Sequence, residues 1–216
     1  MKAVVVNKQA DSFSRLLRQI SDCSSRLYCL GDVSLLNYPK TVAVVGSRQM
    51  TDYGKVMVNK IVPELVKNDW LVVSGMALGI DAEAHYACIK AGGKTTAVLA
   101  SGVDVVSPQA NKWIYDLILK KGGLIVSEKK LGQPANRQSF LPRNRIIAGL
   151  SQGVLVVEAS RRSGTLATAS QAAKQGREVM AVPGRVTDKN SGGVNWLIKN
   201  GAGVVETAKD GLEILK

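Results

Sequence analysis

From residue 41 to the end of the chain, short runs of β-branched and apolar residues alternate with longer stretches of helical pattern. The runs are TVAVVG (41–46), WLVVSG (70–75), TTAVLA (95–100), GLIVSE (123–128), GVLVVEA (153–159), EVMAVPG (178–184) and GVVE (203–206). They lack the polar alternation of a half-exposed strand, which marks them as strands covered on both faces. Helical patterns fill the gaps, near 52–68, 81–91, 109–121, 143–151, 164–175 and 194–200, with a last one from about 207. Strands separated by helices cannot pair as hairpins. The pattern therefore predicts an α/β fold with a doubly wound, mostly parallel sheet and helices on both faces.

Residues 1–40 are less regular. A helix around Phe13 to Ile20, a strand at RLYCLG and a loop ending at Pro39 read as an appendage packed on the core formed by 41–216. At 216 residues the chain suits one sizeable core with such an appendage. No stretch is apolar enough for a signal peptide or a membrane span, and three cysteines, Cys23, Cys29 and Cys88, have no metal-ligand spacing. These features place the chain in the cytoplasm with reduced thiols. Its charge points to a partner: 29 Lys and Arg against 17 Asp and Glu leave +12, the balance of a protein that meets a polyanion or an acidic membrane surface, with nucleic acid expected ahead of a merely solubilising surface charge.

In a doubly wound fold the ligand crevice lies at the carboxyl ends of the strands. GSRQMTDYG follows the first run: Gly46 permits a tight turn, and Ser47 and Arg48 stand at the entrance of a helix, where a hydroxyl, a guanidinium and free amides make a phosphate site. SGMALGIDAEAH follows the second, glycine-rich through Gly75 and Gly79, with Asp81 as the expected N-cap. After GVLVVEA comes SRRSGTLATAS, with Arg161, Arg162, Ser163, Gly164 and Thr165 at another helix entrance. Arg143 and Arg145 follow Pro142, read as the first position of a helix, where cations are disfavoured unless an anion sits opposite. Two residues apart on a helix, they point about 200° apart, so one should pair inward and the other face out. Asp81 and His85 have the i, i+4 spacing of a catalytic pair, but the sole histidine reads as a packing residue beside a capping aspartate. Glu158 fits either a general base or the internal partner of one arginine.

The order GSR, SGMALGIDAEAH, GGKTTAVLASGVD, VSE, FLPRNRIIAGLS, VLVVEA, SGTLATA, GREVMAVPG and GGVNWLIKNGA resembles the DNA processing protein A family, also called Smf, over roughly residues 30 to 205. The resemblance implies an extended Rossmann-like domain that binds single-stranded DNA, self-associates as a homodimer and delivers the strand to a RecA-type recombinase in recombination or natural transformation. It puts the phosphate grip on Gly46, Ser47 and Arg48 and the RNR segment on Arg143, Asn144 and Arg145, with DNA phosphate as the anion opposite the arginines. Members of the family usually carry a tyrosine where this chain has Ser107, next to Pro108 and Asn111. Many also carry an N-terminal helical domain and a C-terminal winged helix, neither of which is expected from the pattern of this sequence.

The expected mechanism is binding without catalysis, cofactor or metal: Ser47, Arg48, one of Arg143 or Arg145, and Lys112 or Arg162 would grip successive phosphates. With ten aromatic residues (3 Trp, 5 Tyr, 2 Phe), few of them in these loops, base stacking is expected to be minor. The alternative is a nucleotide-binding Rossmann-like protein related to phosphoribohydrolases. Those enzymes resemble the chain around RRSGTLAT, but Thr168 replaces the glutamate they would use for hydrolysis.

Overall fold

The computed structural model describes residues 2–216, and the strands form one nine-stranded sheet in the order β1-β2-β6-β5-β4-β3-β7-β8-β9. The seven strands read from the sequence are β3 (Thr41–Val45), β4 (Leu71–Ser74), β5 (Thr95–Val98), β6 (Leu124–Ser127), β7 (Gly153–Val156), β8 (Glu178–Ala181) and β9 (Gly203–Val204). All seven run parallel to their neighbours among themselves. Two more, β1 (Val4–Asn7) and β2 (Arg26–Gly31), add antiparallel to the edge at β6. β2 is the strand expected at RLYCLG. The β1 strand was not expected, because a four-residue edge strand with three exposed positions carries no burial pattern to read.

The helices are α1 (Arg15–Arg18), α2 (Asp52–Lys67), α3 (Ile80–Lys90), α4 (Lys112–Lys120), α5 (Phe140–Gly149), α6 (Thr165–Lys174), α7 (Gly192–Lys199) and α8 (Ala208–Ile214). Alternation along each strand divides the core between two faces. Val42 and Val44 of β3 pack with α2 and α3, while Ala43 and Val45 pack on the opposite side with residues of α1, α5, α6 and α7. A third cluster joins α4 to Ala97, Leu99 and Ile125. The strand order changes direction between β3 and β7, because successive crossovers build outward from β3 on one side and from β7 on the other. Side by side, these two strands send their following loops to opposite layers and leave a crevice between them.

The first 40 residues are continuous with this core. Phe13, Leu17 and Ile20 are buried in the same apolar cluster as Ile146, Ile147 and Ala148 of α5. Gly149 lets α1 approach closely, since a Cβ there would lie 2.6 Å from Leu17 Cδ1. Leu17→Ala should therefore cost about 2–5 kcal/mol of global stability and lower the midpoint of one cooperative unfolding transition. A separate early transition in differential scanning calorimetry, absent from the variant, would show that the N-terminal segment folds apart from the sheet.

Candidate nucleic-acid interface

β3 ends at Val45, and the chain turns through Gly46, Ser47 and Arg48 before Thr51 caps α2. A Cβ on Gly46 would meet the Ile80 side chain at 2.6 Å, so this turn lies directly on the start of α3. The Gly46 amide donates to Asp81 Oδ1 at 3.3 Å, and Asp81 Oδ2 accepts from the amides of Gly75 (3.2 Å) and Ala77 (3.4 Å). Asp81 is thus not the cap of its own helix. That position falls to Gly79, at φ +75°, where a Cβ would come within 2.3 Å of the Ser47 carbonyl oxygen. One buried carboxylate ties the turn after β3 to the turn after β4. Gly46, Gly75 and Gly79 serve the close approach of these turns, and the Gly46 and Gly75 amides are already engaged.

Beneath the turns lies Arg143. Its Nη1 donates to the carbonyls of Gly75 (2.6 Å) and Val98 (2.5 Å), and its Nε to Asn144 Oδ1 (3.3 Å). Burial pushes its pKa down to about 10, with Asp81 opposing that shift and Arg48 adding to it. Burial raises the Asp81 pKa, and the Arg143 charge holds it back. Arg145, on the other side of α5, donates through Nη2 to Glu128 (2.6 Å) and forms an ion pair with Asp22, whose Oδ2 lies 3.1 Å from Nε. The anions opposite the two arginines are therefore internal. Pro142 does not start the helix either. α5 begins at Phe140 after a 3₁₀ turn over Arg137–Ser139, which makes Pro142 the third residue, still within the turn whose amides have no helical acceptor. Glu158 pairs with neither arginine, accepting instead from the amide (3.0 Å) and hydroxyl of Thr51.

Across the crevice, the loop after β7 leads to α6. Ser163 Oγ accepts from the Thr165 amide (3.1 Å), and Thr165 Oγ1 donates to the Gly46 carbonyl (3.0 Å), which joins this loop to the turn after β3. Between them opens a cavity of about 460 Å³, lined by Ser47, Arg48, Arg143, Asn144, Ser163, Gly164 and Thr165 together with Phe140, Lys189 and Asn190. Arg48 is exposed, forms no ion pair among the described residues, and lies over the Phe140 ring with its guanidinium carbon 4.9 Å from the ring centre. The backbone amides of Ser47, Arg48 and Gly164 have no acceptor among the described residues. They sit with the N-terminus of the ten-residue α6 at the same opening. Free donors, a helix N-terminus and an unpaired guanidinium together make an anion site.

The structure thus brings together eight of the expected residues, Gly46, Ser47, Arg48, Arg143, Asn144, Ser163, Gly164 and Thr165. Gly75 lines an adjoining cavity of about 70 Å³ with Arg48, Ser107, Pro108 and Phe140. Lys112 lies away from the crevice, paired with Asp116 on the outer face of α4, and Arg162 is exposed on the loop but outside the lining. Asn111, expected near a contact surface, is buried and donates to the Met76 carbonyl (2.8 Å). Sequence reasoning missed Phe140, Lys189 and Asn190. The loop after β8 obeys the same strand-end rule and could have been read; Asn190 donates to the Gln49 carbonyl (2.6 Å), which holds that loop against the Arg48 turn. Among the described residues no cluster of His, Cys, Asp or Glu has a metal-binding arrangement, and no helix is long and apolar enough to cross a membrane.

Comparison with known proteins bears on the family and the fold. A family model described as DNA recombination-mediator protein A matches residues 4–216. The DNA processing protein DprA of Bacillus subtilis is 41% identical over 199 residues, which cover 92% of this chain and 67% of that protein. The crystal structure of DprA from Streptococcus pneumoniae superposes with a TM-score of 0.93 at 41% identity, over 99% of this chain and 74% of that one. That of DprA from Helicobacter pylori, described for its single-stranded DNA binding mode, superposes with a TM-score of 0.89 at 30% identity, over 100% and 96%.

His85, beside this network, is not half of a catalytic pair. Thr95 Oγ1 donates to the Val72 carbonyl (2.6 Å), so it accepts from His85 Nδ1–H (2.7 Å), and Nε2 is left without a partner. Burial first, and the Arg143 charge second, push its pKa from 6.5 down to about 3. Below the upper value the unfolded chain takes up a proton that the folded chain refuses. Stability should then fall as pH drops through this window, with this group contributing up to about 1.4 kcal/mol per pH unit. His85→Gln cannot titrate, so the stability gap between wild type and variant should narrow as pH falls from 7 towards 4 in urea titrations. A gap independent of pH would show that the imidazole titrates alike in both states.

Proposed function

Because this chain belongs to the DNA recombination-mediator protein A (DprA/Smf) family, we propose that it binds single-stranded DNA along the carboxyl edge of its sheet, protects the strand and presents it to a RecA-type recombinase. The observation that carries this reading is the pairing of the Ser47–Arg48 turn with the N-terminus of α6 across the β3–β7 switch point, held by the Thr165–Gly46 hydrogen bond. A phosphate at this opening would meet the Ser47, Arg48 and Gly164 amides and the Arg48 guanidinium. Arg143 adds its charge from below, and Lys189 a second cation at the rim. Phosphate contacts fix register and carry no sequence information, so binding is sequence-tolerant. The role is binding rather than bond chemistry. Thr168, where the related hydrolases would need an acid, is a buried lining residue, and the one carboxylate in the lining, Asp81, is occupied by three backbone amides. We place the activity in the cytoplasm, with a second copy of the chain as partner and DNA uptake or recombination as the setting.

Titration of labelled single- and double-stranded oligonucleotides of equal length at several salt concentrations tests the reading. Single strands should bind more tightly, because separate phosphate sites in a crevice suit a flexible strand better than a rod. Equal or tighter duplex binding would overturn it. Arg48→Ala should weaken single-strand binding by about 1.5 to 3 kcal/mol, roughly ten- to a hundredfold. It should also make the log–log salt dependence shallower by about 0.7. The melting temperature should hold, since Arg48 pairs with no carboxylate. A variant that melts earlier but keeps its affinity would remove Arg48 from the site.

A further inference from the structure

Two large aromatic side chains stand exposed on the outer face of the α3–α4 pair. Trp113 is 51% exposed and Tyr86 38%, and their rings meet edge to face with centres 5.6 Å apart. Neither belongs to the core clusters, so core packing does not account for them. Their position relative to the crevice suggests their use. Arg48 and Phe140, at its rim, share the adjoining small cavity with Leu78 and Pro108. Leu78 is itself exposed and stands just before α3, which carries Tyr86 two turns on. Pro108 heads the 3₁₀ turn that runs into α4, whose second residue is Trp113. Leu78 and Pro108 thus link the rim of the crevice to the segments that lead into α3 and α4, the helices that carry the aromatic pair.

Lysines and carboxylates both stand around the pair. Lys90 lies four residues beyond Tyr86, on the same side of α3, and Lys112 adjoins Trp113; both are exposed. Of the two lysines, only Lys90 pairs with no carboxylate among the described residues. Glu83 accepts from Asn59 Nδ2 (2.6 Å), and Asp116 pairs with Lys112. Exposed rings beside the unpaired Lys90, on helices whose leading segments line the crevice, have the make-up of a stacking platform for unpaired bases.

We infer that Tyr86 and Trp113 extend the DNA path, stacking bases of the strand that leaves the crevice over Leu78 and Pro108. This rests on the single-strand reading above and assigns base contacts where that reading has only phosphate contacts. Any unpaired base has a face to stack, so the platform adds affinity without sequence preference.

The test compares single strands of about 4 and about 16 nucleotides, spanning the site sizes of single-strand binders. The wild type should gain affinity with length, and Trp113→Ala should lose roughly five- to tenfold on the longer strand, the cost of one stacked base. Trp113→Phe should retain most of it. Replacing the bases of the longer strand by abasic spacers should lower wild-type affinity to the level of Trp113→Ala and leave the variant little changed. The same length dependence in wild type and Trp113→Ala, or no effect of the spacers, overturns the inference while the crevice stands. If the wild type binds neither strand, the crevice reading itself has failed. Unaltered DNA affinity with loss of self-association in sedimentation would assign the pair to a protein contact, and overturns the inference as well.

Discussion

A carboxylate and a guanidinium buried under the carboxyl edge of the sheet organise everything above them. Asp81 gathers the amides of Gly46, Gly75 and Ala77, while Arg143 holds the carbonyls of Gly75 and Val98. Three strand ends, those of β3, β4 and β5, are thus fixed to two side chains from two helices. Gly75 lies at the centre, for a Cβ there would fall 2.7 Å from Arg143 Nη1 and 2.8 Å from Asp81 Oδ2. Burying two charges has a large desolvation cost, recovered only where each group is fully hydrogen-bonded. Apolar residues of similar volume could fill the space, but they could not hold the free amides of two turns and the carbonyls beside them.

What the pair leaves unheld is the surface proposed to bind the strand. Because Asp81 binds the Gly46 amide, the next two amides, of Ser47 and Arg48, project into the crevice without an acceptor. Because Thr165 donates to the Gly46 carbonyl, the entrance of α6 is drawn to the same opening. Arg48 is then the exposed cation of the turn, resting on Phe140 rather than on a carboxylate. Arg143 beneath it repels Arg48 and lowers the site's tolerance for a second cation without a ligand, which favours an anion in the space between them.

Much of this was legible in the sequence where a local rule decides the outcome. The parallel strands were, because runs such as TVAVVG and GVLVVEA are buried on both faces and helices separate them. The tight turn at Gly46 was, because glycine at a strand end permits the chain to turn towards the next helix entrance. The roles of Asp81 and Glu158 were not. Each carboxylate accepts from backbone amides, those of Asp81 on two separate turns and that of Glu158 on a residue 107 positions away in the chain, and no pattern along the chain records such contacts. The two arginines of RNR show both cases. Helical geometry put them on opposite sides of α5, but only the fold shows that Asp22 and Glu128 meet one and that the carbonyls of Gly75 and Val98 meet the other.

The basic surplus of the chain therefore has to be divided before it is read as affinity. Arg143 stabilises the turns, Arg145 is neutralised by two carboxylates, and Arg177 donates to the Leu16 carbonyl and fastens α1 to the sheet. At the crevice this leaves Arg48 and Lys189 as exposed cations, with the uncharged donors of two chain turns. A single phosphate there gains a few charge-assisted contacts, and each is worth little while water competes at an open edge. Firm hold on a strand must then come from repetition, either along the edge of one molecule or across two copies. In both cases effective concentration turns several weak grips into one strong one.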